Sequence, residues 1–179
     1  MKKFFLIAAA FCASFLFQAC EEENELIFVA VAPDGIEFTN AFANEYLLSE
    51  DTEDNIAERF VWVEPDFGAP VNKTYDLQAS IDPEFGAFDV VGSSNTTNIA
   101  VTVKLLLDYA GDLGLDDDPT TTDADGNPNN TGAVHFRLRA YAGAGTGSNT
   151  EVFSDVVTLN IRLIEKVALK FSSSRRAQF

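Results

Sequence analysis

The residues best suited to chemistry are the oxygen-bearing side chains of one acidic segment, GLDDDPTTTDADGNPNNTG at positions 114–132. Carboxylate and amide oxygens are the hard ligands that Ca²⁺ takes in proteins. The segment starting at Asp123, Asp-x-Asp-Gly-Asn, is close to a calcium loop. Its glycine comes too early in the loop for an EF-hand, and Val134 occupies the place of the closing glutamate. The segment is therefore predicted to be either a calcium site or a flexible acidic loop of turn-forming residues. The candidate ligands are Asp116, Asp117, Asp118, Asp123, Asp125 and Asn127.

A second reactive group is the thiol of Cys20, in the junction FLFQACEEENE at positions 15–25. A basic start, Met1-Lys2-Lys3, precedes an apolar run from Phe4 to Phe17. That length suits a secretory signal and is short for a membrane-spanning helix. With a small residue directly before the cysteine, the stretch resembles the lipobox of bacterial lipoproteins, although Phe17 stands where leucine is usual. The resemblance implies cleavage before Cys20 and acylation of that cysteine; a plain secretory signal is the alternative.

Cleavage would remove Cys12 and leave Cys20 as the one cysteine, so no internal disulfide is expected. Each buried CH₂ of an acyl chain contributes about 0.8 kcal/mol, and stable anchoring takes about two chains. We therefore expect membrane association through a lipid anchor. The acidic run Glu21–Glu25 is expected to be a solvated tether. It resembles the export signal of surface lipoproteins in glycan-scavenging bacteria, and a plain solubilising spacer is the alternative.

The charge balance limits the possible partners. The chain has 12 Lys and Arg against 28 Asp and Glu, a net charge of −16. Such a surface repels phosphate backbones, so nucleic acid is not expected as a partner. An anionic membrane surface would repel it as well, which makes a lipid anchor the expected means of membrane attachment.

The remaining candidates for chemistry are single residues. His135 is the only histidine, and the alternation around it predicts a solvent-facing position without a catalytic partner. Trp62, the only tryptophan, shares a strand face with Phe60 and is expected in the core rather than in a sugar-stacking platform. Tyr141 falls on a polar face beside a glycine-rich loop and is the candidate for a ligand contact. Arg137 and Arg139 are expected to pair with carboxylates across strands. No cofactor other than the possible Ca²⁺ is indicated, and no catalytic residue is assigned.

The segments that must position these residues have the sequence pattern of β-strands. Apolar and polar residues alternate at Tyr75–Asp82, Val134–Tyr141 and Val157–Leu163, the pattern of strands with one buried face. A strand is also predicted from about Arg59, with Phe60 and Trp62 on one face and Val61 and Val63 on the other. Further strands are predicted near Leu26–Ala32, at 87–91 and at 98–101. One apolar set instead repeats at helical spacing from Val103, with Thr102 as a candidate N-cap and Gly114 as the stop. About seven strands and one helix predict an all-β antiparallel sandwich with the helix over an open end or edge.

A family resemblance follows from the order of these elements. RFVWVEPDFGAPVNKTYDLQAS (59–80), followed later by VHFRLRAYAG (134–143) and FSDVVTLNI (153–161), resembles immunoglobulin and fibronectin type III modules. With the inserted helix VTVKLLLDYAGDLGL (101–115), the chain is similar to the N-terminal domain of SusE-type outer-membrane lipoproteins. The expected domains are a signal peptide at 1–19, a tether at 20–25, a sandwich at 26–165 and a disordered basic tail at 166–179.

The resemblance also implies a role. It predicts a non-enzymatic, lipid-anchored, surface-facing outer-membrane protein that assists starch-type glycan uptake, as a spacer or docking module. The implied partner is a TonB-dependent transporter complex of SusC/SusD type. Family members continue into further sandwich domains that are expected to hold glycan, whereas this sequence stops after VALKFSSSRRAQF. That ending is either a genuine basic tail or, in the favoured interpretation, the scar of a shortened gene. The alternative function is oligosaccharide binding by this domain itself, through Tyr141 and nearby loops.

Overall fold

The computed structural model describes residues 29–118, 120–143 and 150–164. The predicted signal peptide, the lipobox cysteine, the acidic tether and the basic tail lie outside these residues. Eight strands and one α-helix follow one another along the described chain. They are β1 (Tyr46–Leu48), β2 (Ile56–Val61), β3 (Lys73–Ser80), β4 (Asp89–Ser94), β5 (Asn98–Thr102), α1 (Val103–Asp112), β6 (Thr131–Ala142), β7 (Glu151–Phe153) and β8 (Val157–Leu163).

Six of these strands form one large sheet in the order β1-β8-β6-β3-β4, with β7 pairing on β6. The long strand β6 is its centre. It pairs antiparallel with β3 from Lys73↔Ala142 to Ser80↔His135, and its other edge is shared by β7 and β8. Strand β6 is therefore paired on both edges along its length. Its inward side chains lie in the core, and its outward side chains lie at the middle of the outer sheet face.

The second sheet contains β2 and β5, which pair antiparallel. Aromatic rings join it to the large sheet: the centroids of Phe60 and Phe136 lie 4.9 Å apart, and those of Trp62 and Tyr75 lie 5.0 Å apart. Both Trp62 and Phe60 are buried, as their alternation predicted. The domain is therefore an all-β sandwich, and its interior is filled by side chains from both sheets.

The period-two alternation is confirmed in the large sheet. The side chains on its inner face are almost fully buried, and the next residue along each strand points to the outer face. The inner set comprises Tyr75, Leu77, Ala79, Val134, Phe136, Leu138, Ala140, Leu159 and Ile161. The outer face of the same sheet carries the polar and charged residues described below.

The helical spacing is also confirmed. Helix α1 runs from Val103 to Asp112, and the Thr102 hydroxyl accepts a hydrogen bond from the Leu105 N–H at 3.4 Å. Gly114 ends the helical segment with a φ of +70°, a conformation that glycine adopts without steric cost. The helix packs against strands of both sheets and so covers one end of the sandwich. None of the helices in the described part of the chain has the length and apolar character needed to cross a bilayer.

Three expectations need correction. The strand predicted at Leu26–Ala32 is absent from its described part, 29–32, where the Val31 N–H instead donates a single loop hydrogen bond to the Phe67 carbonyl. The strand predicted at 87–91 lies at Asp89–Ser94. Strand β1 was not predicted, and it pairs parallel with β8, so the sheet is not wholly antiparallel. Three residues are too few to show alternation, and the partner strand lies more than 100 residues away.

Candidate functional site

The acidic loop folds on its own carboxylates. The Asp123 carboxylate accepts hydrogen bonds from the backbone N–H groups of Asp125 and Asn127, at 2.9 and 2.8 Å, and from the Asn127 amide at 3.2 Å. Asp116 accepts bonds from the Thr121 hydroxyl and from the Asn129 amide at 2.7 Å. The bond from the Asp125 N–H to Asp123 has the spacing of an Asx-turn, which agrees with the interpretation of the segment as a loop of turn-forming residues.

The same hydrogen bonds favour the ionised form of two aspartates. The backbone N–H and then the amide of Asn127 hold the pKa of Asp123 below its usual range. The hydroxyl and backbone N–H of Thr120 lower the pKa of Asp118 in the same way. Both carboxylates are therefore charged at neutral pH, which is the state that a cation would require.

The loop does not gather its carboxylates around one point. Among the described residues, no three His, Cys, Asp or Glu side chains lie close enough to share a metal ion. Asp116 and Asp123 instead belong to two separate hydrogen-bonded turns. A calcium ion would need backbone carbonyls or rearranged side chains to complete its shell. Calcium binding at Asp116, Asp117, Asp118, Asp123, Asp125 and Asn127 stays a prediction.

The outer face of the large sheet carries a line of charged side chains along β6. Arg139 lies between two carboxylates: its Nη2 is 2.7 Å from Glu151 on β7, and its Nη1 is 3.6 Å from Asp76 on β3. Asp76 also accepts a 2.6 Å hydrogen bond from the Ser93 hydroxyl on β4. The cross-strand pairing expected for Arg139 is confirmed, and it ties three neighbouring strands together.

Tyr141 extends this line at the end of β6. It is half-buried on the outer face, as its position in the alternation predicted. The Arg139 guanidinium lies 4.4 Å from the centroid of its ring. One face of the ring is thus engaged by a cation, and a ligand would have to use the other face or the hydroxyl. A ligand contact at Tyr141 stays a prediction.

Arg137, two residues before Arg139, has different surroundings. Its Nε donates a 2.7 Å hydrogen bond to the Gln78 amide oxygen, and the described residues supply no carboxylate within ion-pair distance. Three phenylalanine rings surround the guanidinium instead. Their centroids lie 4.3 Å away for Phe85, 4.9 Å for Phe153 and 5.2 Å for Phe88. The prediction of a carboxylate partner was therefore wrong for Arg137.

These three phenylalanines were missed as site residues. Phe85 lies in the turn after β3 with a φ of +53°, Phe88 precedes β4 and Phe153 ends β7. They belong to separate elements and meet only because the sheet brings β4, β3, β6 and β7 side by side. The one sequence feature that marks them is their aromatic type at the ends of strands, which by itself names no site.

The single histidine has no catalytic geometry. His135 Nδ1 lies 3.0 Å from the Thr158 hydroxyl on β8, in an exposed cross-strand pair. A catalytic histidine needs an aimed nucleophile and a group that orients its second nitrogen. Within the described ranges no carboxylate forms a hydrogen bond or ion pair with His135. The pair is a surface contact between two strands.

An open cleft of about 440 Å³ lies between α1 and the ends of β1 and β8. Its apolar lining is contributed by side chains such as Leu48, Leu107 and Leu163, and Glu50, Asp116 and Asp117 also line it. The cleft contains no histidine, serine–histidine pair or cysteine among the described residues. Its titratable side chains are those three carboxylates.

A comparison with protein-family models identifies a family that this chain matches. The family model described as SusE outer membrane protein matches residues 22–139, about two thirds of the chain. The match begins in the acidic run and ends within β6, at Arg139, so it includes the small sheet, the helix and both arginines of the outer face. No curated protein and no solved structure matches the chain.

Proposed function

The chain belongs to the SusE outer membrane protein family, and on that premise we propose that it is a non-enzymatic accessory of starch-type glycan uptake. Its location is the outer membrane. In this proposal the sandwich is a spacer or docking module beside a TonB-dependent transporter complex of SusC/SusD type. The work is done by strand faces and loops rather than by a pocket.

The observation that carries the proposal is the filled interior of the sandwich. Phe60, Trp62, Tyr75 and Phe136 meet between the two sheets with centroid separations of about 5 Å, and the side chains around them are buried. A substrate cleft would need space and converging polar groups at this position. The charged groups described above lie instead on the outer sheet face, in the acidic loop and in the open cleft beside α1.

The tether completes the proposal. Acylated Cys20 holds the chain at the bilayer, and Glu21–Glu25 separates the sandwich from the lipid surface. A net charge of −16 opposes adsorption of the domain to anionic lipid, so the tether keeps the sandwich free to meet a protein partner. The domain faces the cell exterior in this arrangement.

Co-purification tests the docking role. The full chain, tagged at its C-terminus, is isolated in mild detergent from outer membranes of cells grown on a starch-type glycan. We expect the transporter complex to be recovered with it. The control is Cys20→Ala, which should shift the chain out of the membrane fraction and lower the recovery of the transporter. Recovery of the wild-type chain alone, at transporter levels equal to an untagged control, would contradict the proposal.

Oligosaccharide binding by the domain itself is the second candidate. It is favoured by the position of Tyr141 on the outer face, next to the turn at Gly143. It is opposed by the Arg139 guanidinium that covers one face of the ring. Isothermal titration with maltoheptaose separates the two candidates, because only the second predicts saturable heat that Tyr141→Ala removes.

A further inference from the structure

The outer face of the large sheet holds an apolar cluster with one cation at its centre. This cluster, the Arg137 patch, consists of Phe85, Phe88, Val90, Arg137 and Phe153. Val90 belongs to it because it pairs with Gln78, the residue that accepts the Arg137 Nε–H. Phe88, Val90 and Phe153 are 45 %, 52 % and 41 % exposed. Exposed apolar side chains that adjoin one another mark interaction sites more often than scattered ones do.

The cation in the patch is unusual for this chain. The sequence has 28 acidic residues against 12 basic ones, yet the described structure brings no carboxylate to Arg137. The next arginine on the same strand face, Arg139, contacts two. Only the Nε of Arg137 forms a hydrogen bond with a described residue, so its four terminal N–H donors are left for an external acceptor.

The setting of Arg137 suits a strong contact. Burial lowers its pKa, which means that the guanidinium is already partly removed from water. The three rings stabilise the positive charge by cation–π contact and restrict the orientation of the planar guanidinium. An arginine that is oriented and partly dehydrated before binding loses less entropy and hydration when a carboxylate arrives.

We propose that the Arg137 patch is the docking surface of this domain, and that it receives a protein segment presenting an Asp or Glu carboxylate among aliphatic side chains. The proposal rests on the docking role proposed above and names its surface and the chemistry of its partner. Arginine and aromatic residues surrounded by apolar contacts are the composition of interface hot spots.

Other occupants fit less well. In a symmetric pair of this chain the patch would meet itself and place two Arg137 guanidiniums together. An oligosaccharide would stack on aromatic faces, but each of the three rings has the guanidinium against it. A lipid surface is disfavoured by the charge of −16. A carboxylate with apolar neighbours can accept hydrogen bonds from the terminal N–H groups of Arg137, while its apolar neighbours pack against the exposed rings.

Photo-cross-linking in cells tests the proposal with the full, membrane-bound chain. Benzoylphenylalanine replaces Val90 in the patch or, as the control, Val63, which is 70 % exposed and lies outside the patch. We expect position 90 to yield a cross-linked protein and position 63 to yield none of it. The cross-linked peptide of the partner should contain or adjoin an Asp or Glu.

Charge variants then test the role of the cation. Arg137→Gln should lower the position-90 cross-link by about 30-fold, because it removes one member of a desolvated charge pair. Arg59→Gln is the matched control, since Arg59 bonds to Asn98 on the other sheet, and it should leave the yield unchanged. Arg137→Glu should abolish the product, and replacing the mapped partner carboxylate by Arg should restore it. Unfolding curves of each variant establish that it is folded.

Each remaining outcome contradicts the proposal. These are the absence of a product at position 90, the same product at position 63, a position-90 product that is glycan or a second copy of the chain, a yield unaffected by Arg137→Gln, and a mapped partner site without a carboxylate. If the transporter co-purifies while the patch variants have no effect, the docking role stands and the assignment of its surface fails. If nothing co-purifies, the docking role itself fails.

Discussion

Trp62 and Tyr75 face each other across the sandwich, with ring centroids 5.0 Å apart and both side chains buried. Tyr75 belongs to the large sheet, and Trp62 follows β2 of the small one. This contact helps to hold the two sheets together and fills the space between them. The docking account of function depends on that filled interior.

Replacing Trp62 by Ala should lower the free energy of unfolding by about 3–5 kcal/mol, because it leaves a large cavity between the sheets. Urea denaturation followed by circular dichroism measures the change. Val63→Ala is the control, since that neighbouring side chain is 70 % exposed, and it should cost less than about 0.5 kcal/mol. A loss of under about 1 kcal/mol at Trp62 would mean that the indole does not hold the sheets together.

The helix cap gives a second, local prediction. The Thr102 hydroxyl accepts the Leu105 N–H at the start of α1, so Thr102→Ala should destabilise the domain by about 1 kcal/mol. Thr102→Ser keeps the acceptor oxygen and should retain most of that stability. Equal losses for Ala and Ser in the same denaturation assay would show that the methyl group, rather than the hydroxyl, is what matters.

A feature of the fold or of the candidate site could be predicted from the sequence when the residues that form it lie close together along the chain. The strands around Tyr75 and Phe136 and the helix after Thr102 were predictable because alternation and capping are local patterns. Strand β1 was not, because its three residues gain strand geometry only by pairing with β8. The surroundings of Arg137 were mispredicted for the same reason: alternation placed its side chain on the outer face but could not show which side chains from other elements meet it there.

The raised pKa values of two tyrosines predict that the domain loses stability at high pH. Burial, and then the hydrogen bond to Glu58, raise the pKa of Tyr46 well above its usual value; burial and Asp89 do the same for Tyr109. The Tyr109 hydroxyl donates to Asp89 at 3.2 Å. The folded state thus holds these protons more tightly than the unfolded state, where tyrosine loses its proton near pH 10. Their contribution to stability is complete below about pH 10 and is lost as the pH rises toward the folded-state pKa.

The free energy of unfolding, measured as a function of pH, tests whether stability is lost as the pH rises. The free energy of unfolding should begin to decline near pH 10 as the tyrosines of the unfolded chain ionise. A phenylalanine cannot ionise, so the double variant Tyr46→Phe, Tyr109→Phe should show a shallower decline over the same range. Identical slopes for the wild type and the double variant would show that neither phenol is protected by the fold.

The calcium prediction for the acidic loop can be tested by thermal unfolding. If the loop binds the ion, millimolar Ca²⁺ should raise the melting temperature and EDTA should reverse the rise. A ligand present at 100 times its dissociation constant stabilises by about 2.7 kcal/mol. Asp123→Asn should remove the calcium-dependent part, whereas Asp51→Asn, an exposed carboxylate outside the segment 114–132, should retain it. A melting temperature unmoved by both calcium and EDTA would leave the carboxylates with their turn-forming role alone.

The central claim, docking to protein rather than chemistry on glycan, is tested most directly by isothermal titration of the purified full chain with its detergent-solubilised transporter complex. We predict saturable heat at a fixed stoichiometry with the transporter and no heat when maltoheptaose replaces it. Saturable heat with maltoheptaose, together with none for the transporter, would contradict the account and assign the domain to glycan binding.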